Sequence, residues 1–124
     1  MKQILIDIID DSGTDINNIS KIIKLNHPVL KLNTVFNGKT VSKAQILKKK
    51  PKVVFVSFSK KNNIELINEL INEEILIIVL VNNNYQVLEA FKYDALFCMK
   101  SPVEFHELHE ALNKIFLKLI ILNQ

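Results

Sequence analysis

The sequence predicts an α/β fold: a doubly wound parallel sheet of five strands covered by helices on both faces. Three observations carry that prediction. Strand-like apolar runs alternate with amphipathic helical stretches five times along the 124 residues. The third, fourth and fifth runs are apolar on both faces, as strands buried under crossover helices must be. No linker, repeat or low-complexity tract divides the chain, so residues 1–124 are expected to form one domain.

The first strand is the near-continuous apolar run Gln3 to Ile9, which Asp10-Asp11-Ser12-Gly13 closes as a turn. Thr14 or Asp15 caps a helix carrying Ile16, Ile19, Ile22 and Ile23 at helical spacing. His27-Pro28 stops it, because the residue before a proline is pushed out of the helical region. Val29 to Phe36 alternates as a second strand, Asn37-Gly38 turns the chain, and Lys39 to Lys50 is a helix with Val41, Ala44, Ile46 and Leu47 inward. Pro51 punctuates, and Val53 to Phe58 is the third strand. Asn62 or Asn63 then caps a helix with Ile64, Ile67, Leu70 and Ile71 on one face. Ile75 to Val81 is the fourth strand. Asn82-Asn83-Asn84 turns into a helix with Val87, Leu88 and Phe91 inward, and Ala95 to Met99 is the fifth strand. Pro102 opens a last helix that runs to about Leu122.

Composition narrows the function classes. The single cysteine, Cys98, excludes an intramolecular disulfide and a zinc site built of cysteines, and it points to a reducing, cytoplasmic setting. No secretory signal opens the chain and its apolar runs are too short to span a bilayer, so the protein is expected to be soluble. The net charge is +3, yet every Lys/Arg position is lysine. Arginine supplies the bidentate fork for guanine edges and phosphates, and its absence argues against direct nucleic-acid contact. Lys48-Lys49-Lys50, Lys52 and Lys60-Lys61 fall at loop ends and form no basic stripe, so the charge reads as solvated surface.

In open parallel sheets, ligands bind outside the carboxyl ends of the strands. The residues expected there are Asp10, Asp11, Ser57, Ser59, Val81, Asn82, Lys100 and Ser101. Asp10 and Asp11 can share a hard cation such as Mg²⁺, or simply cap the turn. With only two glycines, the chain has neither of the common phosphate-binding glycine loops. Of the three histidines, His27, His106 and His109, the last two stand three apart on the last helix without a third ligand and are expected to face solvent. Ser57 has no histidine base to activate it and no strained nucleophile elbow, so catalysis is not expected.

The order of these residues resembles the receiver domain of bacterial two-component response regulators, over essentially the whole chain. Asp10-Asp11 falls where that family's acidic pair follows the first strand. Asn37-Gly38 with Pro51 matches its frame, and six residues beyond Pro51 the phosphoacceptor position is filled by Ser57. Tyr85 to Ala95, YQVLEAFKYDA, is most similar to receivers that precede a LytTR-type DNA-binding domain. The resemblance implies a flavodoxin-like sheet of order 2-1-3-4-5. It also implies Mg²⁺ held by the acidic pair and the acceptor aspartate, and dimers formed through the fourth helix, fifth strand and fifth helix.

Two departures bear on function. Ser57 lacks the carboxylate for an acyl phosphate or for the metal, and the family's hydroxyl position falls on Val81, which donates no hydrogen bond. The family lysine fits in two registers. Counting back from Pro102 selects Ser101, with Cys98 at the switch-aromatic position; the aromatic-x-x-Lys spacing selects Phe97 and Lys100. The first needs no gap and is favoured on length. The resulting expectation is a pseudo-receiver acting by protein contact, alone or as the front part of a regulator. The alternatives are a receiver modified at Ser57 or binding a small anion near Lys100, and a small flavodoxin-like enzyme.

Overall fold

β-Branched and leucine-rich runs build five parallel strands: β1 (Ile4–Ile9), β2 (Leu30–Phe36), β3 (Val53–Ser57), β4 (Leu76–Val81) and β5 (Phe97–Lys100). They pair in the order β2-β1-β3-β4-β5, as predicted. The structure, a computed structural model, describes residues 4–9, 13–26, 30–36, 41–57, 61–70, 73, 75–83, 97–100 and 103–122. The helices so described are α1 (Gly13–Asn26), α2 (Lys43–Lys48), α3 (Lys61–Leu70) and α4 (Phe105–Leu122). The helix predicted around Val87, Leu88 and Phe91 lies outside the described residues.

The winding reverses between β1 and β3, so helices fall on both faces of the sheet. Alternation along each strand sorts the apolar side chains into two layers. Ile6, Ile8, Val53, Phe55, Ile78, Leu80 and Met99 pack with Ile19, Ile22 and Ile23 of α1 and with Leu108, Ala111, Leu112 and Ile115 of α4. Ile9, Val54, Val56, Ile77, Val79 and Val81 pack with Ile46 of α2 and Leu66, Ile67 and Leu70 of α3. Both faces of β3 and β4 are thereby buried, which is why those strands read as continuous apolar runs.

Local chemistry sets the ends of α2, which is shorter than the predicted Lys39 to Lys50. Ser42 caps it: the Ser42 hydroxyl accepts the Gln45 amide N–H at 3.3 Å, and Gln45 Oε1 accepts the Ser42 amide N–H at 2.8 Å. That reciprocal pair satisfies two donors that a helix start leaves orphaned. At the other end Lys50 takes a left-handed φ of 53° and its N–H reaches the Leu47 carbonyl at 3.1 Å. Pro51 bars Lys50 from the right-handed helical region, so the helix cannot continue.

One irregularity breaks the sheet. Ile6 pairs with Leu32 but Asp7 pairs with Thr34, so β2 carries an extra residue, Asn33, opposite β1. Asp7 is fully buried beside this bulge.

Candidate functional site

The carboxyl edge of the sheet is where the winding brings strand ends together. Ile9 of β1 is level with Val56 of β3, Ser57 with Leu80 of β4, and Val81 with Lys100 of β5. The edge therefore carries Ser57, half-buried as β3 runs out of apolar residues, then Val81, fully buried, then Lys100, exposed to water. Asn82 and Asn83 leave β4 exposed. Asp10, Asp11, Ser59 and Ser101 lie outside the described residues, as does His27. β5 runs from Phe97 to Lys100, one residue past the predicted end at Met99, and the predicted start at Ala95 lies outside the described residues.

The donor set limits the chemistry. Ser57 brings a hydroxyl, Lys100 a three-donor cation, and Val81 an apolar surface with no donor. A hydroxyl and an ammonium can hold a small anion; neither can form an acyl phosphate. Among the described residues no three His, Cys, Asp or Glu side chains gather to hold a metal. That observation does not bear on Asp10 and Asp11.

Beside the strand-end set stand Cys98 and the two histidines of α4. Cys98 is half-buried against the α2–α3 layer, and burial first, then the Glu107 carboxylate, push its thiol up from the ordinary value. The thiolate, the reactive form, is thereby disfavoured. His106 is exposed as expected, but His109 is half-buried. Phe105 explains the difference: four residues upstream on the same helical face, its ring stacks on His109 at 5.8 Å and 6°, and meets His106 edge-on at 5.5 Å. Among the described residues no helix is long and apolar enough to cross a membrane.

No family model matches the chain, and no curated protein matches it either. Solved structures do. The REC domain of AraT, a response regulator from Geobacillus stearothermophilus, superposes with a TM-score of 0.84 over 97% of this chain and 98% of that one, at 18% identity. The fold is that of a receiver domain. The response regulator domain of Thermotoga maritima CheB gives a TM-score of 0.74 at 19% identity, covering 94% of this receiver-fold chain and 96% of that chain. RcsB from Salmonella enterica serovar Typhimurium, bound to promoter rprA, gives 0.77 at 21% identity over 92% of this chain and 60% of that one. At these identities the likeness is one of fold.

Sequence reasoning passed over one buried polar group in this receiver fold. Asp7 sits mid-strand with no exposed surface, and burial pushes its carboxyl up to about 6. The signal was present as a single charge inside an apolar run, too short a break to look different from a solvent-facing position.

Proposed function

We propose that the chain is a receiver-like domain of two-component signal transduction that acts through protein contacts and without phosphorylation. The observation that carries this reading is the strand-end set Ser57, Val81 and Lys100, brought to one edge by strand pairing. A receiver-type phosphoryl switch needs a carboxylate to accept the group at the end of β3 and a hydroxyl to hold it at the end of β4; Ser57 has no carboxylate and Val81 no hydroxyl. The pairing of Val81 with Lys100 supports the register in which Phe97 and Lys100, not Cys98 and Ser101, stand at the switch-equivalent positions. The sequence offers no evident base–nucleophile pair, and the domain is read as non-enzymatic, cytoplasmic and without direct nucleic-acid contact.

Its output passes to a protein partner or a fused effector, for which a LytTR-type DNA-binding domain is the reading that Tyr85 to Ala95 supports. Homodimers would use the Tyr85 to Ala95 segment with β5 and α4, where Phe105 is 44% exposed. A second reading rests on the exposed Lys100 ammonium: a small anion bound beside it, or a modification of Ser57, would replace the missing phosphoryl group. Either ligand must bind two conformations unequally to act as a switch.

The deciding experiment is incubation with acetyl phosphate and Mg²⁺, read by intact-mass spectrometry. The expected result is no added phosphoryl group; an adduct would overturn the phosphorylation-independent reading. A calorimetric Mg²⁺ titration of the chain and of Asp10→Ala runs beside it. Binding that the variant abolishes would show a working acidic pair at Asp10 and Asp11 and favour the anion-binding reading.

A further inference from the structure

Asp7 sits mid-strand in β1, inside the sheet rather than at its carboxyl edge, and nothing in the signalling reading uses it. It is fully buried between β2 and β3, on the face covered by α2 and α3. A charge in that position is costly unless donors surround it. Only one does so squarely: Oδ1 accepts the Thr34 amide N–H at 3.1 Å, across the bulge where the strand ladder skips Asn33. Oδ2 has no hydrogen-bond partner among the described residues.

Among the described residues, few polar groups surround Asp7. Thr34 and Asn33 of β2 are polar and uncharged. The Asn33 side chain favours the carboxylate but does not complete a bond to Oδ2, and its Nδ2 donates to the Lys49 carbonyl at 3.4 Å. Val54 of β3 pairs with Asp7 and is apolar, as are Leu66, Ile67 and Leu70 of α3 in the same layer. From α2 the one charge acting on the group is the Lys49 ammonium at the helix cap, exposed and therefore screened. Asp7 thus ties three things together: the edge strand β2, the end of α2 and the centre of the sheet.

We propose that Asp7 is a proton-operated latch: uncharged, it lets β2 and the end of α2 close over β1, and charged, it loosens that edge. The physical reason is that β2 is an edge strand and, among the described residues, pairs with β1 alone. Local opening there is the cheapest way to bring water to a buried carboxylate. The sign follows from linkage. Burial, outweighing the Thr34 hydrogen bond, the nearby Asn33 amide and the Lys49 charge, raises the carboxyl from 3.8 to about 6. Below the lower value both folded and unfolded chains hold the proton. Between the two values the folded chain holds more protons, so this group's stabilising contribution falls as pH rises, and is gone above the upper value. The window lies between about pH 3.8 and about pH 6.

Carbon-13 NMR of the Asp7 carboxyl and amide exchange of β2 test the latch directly. The carboxyl resonance is expected to titrate well above the ordinary carboxylate range. Opening of the Thr34 amide, corrected for intrinsic exchange, should rise by roughly tenfold or more from about pH 5 to about pH 8, as a shift beyond one unit implies. Asp7→Asn, of the same shape and without charge, should abolish that rise. Lys49→Met, which removes the nearby cation, should move the Asp7 midpoint further up. A carboxyl titrating in the ordinary range would overturn the proposal, as would β2 opening that is flat with pH. If Asp7→Asn fails to fold, the carbon titration and the Lys49→Met shift decide the matter in otherwise intact chains.

Discussion

Val81 and Lys100 stand level at the ends of adjacent strands, yet water reaches only one of them. Val81 packs with Val79 and Val56 in the α2–α3 layer at 0% exposure, so its two methyl groups contribute to the core as well as to the site. Giving Val81 a hydroxyl is therefore expected to cost stability. Val81→Thr keeps the shape but buries a polar group, a loss of roughly 1–2 kcal/mol in urea unfolding. Lys100→Ala, at an exposed position, should stay within about 0.5 kcal/mol of the parent in the same assay. The two residues were legible in the sequence because each ends a run. Asp7 was not, since its meaning depends on burial and on a bulge in β2 that no local pattern records.

At the scale of elements, α2 is the clearest case of short-range chemistry deciding structure. The Ser42–Gln45 capping box starts it and the left-handed Lys50 before Pro51 ends it. Ser42→Ala should destabilise the domain by about 1 kcal/mol, measured by the urea midpoint at unchanged slope. Lys50→Gly should act in the opposite direction. Glycine takes a left-handed φ without the steric cost that a Cβ carries there, so a gain of up to about 1 kcal/mol and a melting temperature higher by a few degrees are expected. The Lys43–Glu73 ion pair at 2.8 Å links the end of α3 back to α2, but both side chains are 37% exposed. Water screens such a pair, and Glu73→Gln is expected to be near neutral. The length of α2 was misread from its apolar spacing because Val41 fits the helical face while preceding the cap.

On the scale of the whole molecule, the two apolar layers share one sheet, with Val53 to Val56 of β3 facing them alternately. Neither layer can melt without exposing the back of the other. Unfolding is accordingly expected as one cooperative transition, with far-ultraviolet and near-ultraviolet circular dichroism tracing the same urea curve. Two separated curves would show the layers unfolding independently. The β2 edge is the expected exception at the level of local opening, where Asp7 is the buried charge.

The sequence by itself determined the alternation of strands and helices and the apolar character of both faces of β3 and β4. It also determined the absence of a carboxylate at Ser57 and of a hydroxyl at Val81. These follow from periodicity and side-chain chemistry, which act over a few residues and can be read one stretch at a time. The tertiary structure alone decided that Val81 and Lys100 share a register, a choice the uniformly apolar fifth strand could not make by alternation. It alone paired Phe105 with His109 and placed Asp7 out of reach of water beside the bulge at Asn33. Burial and strand register are properties of what packs alongside, and residues far apart in the chain supply both.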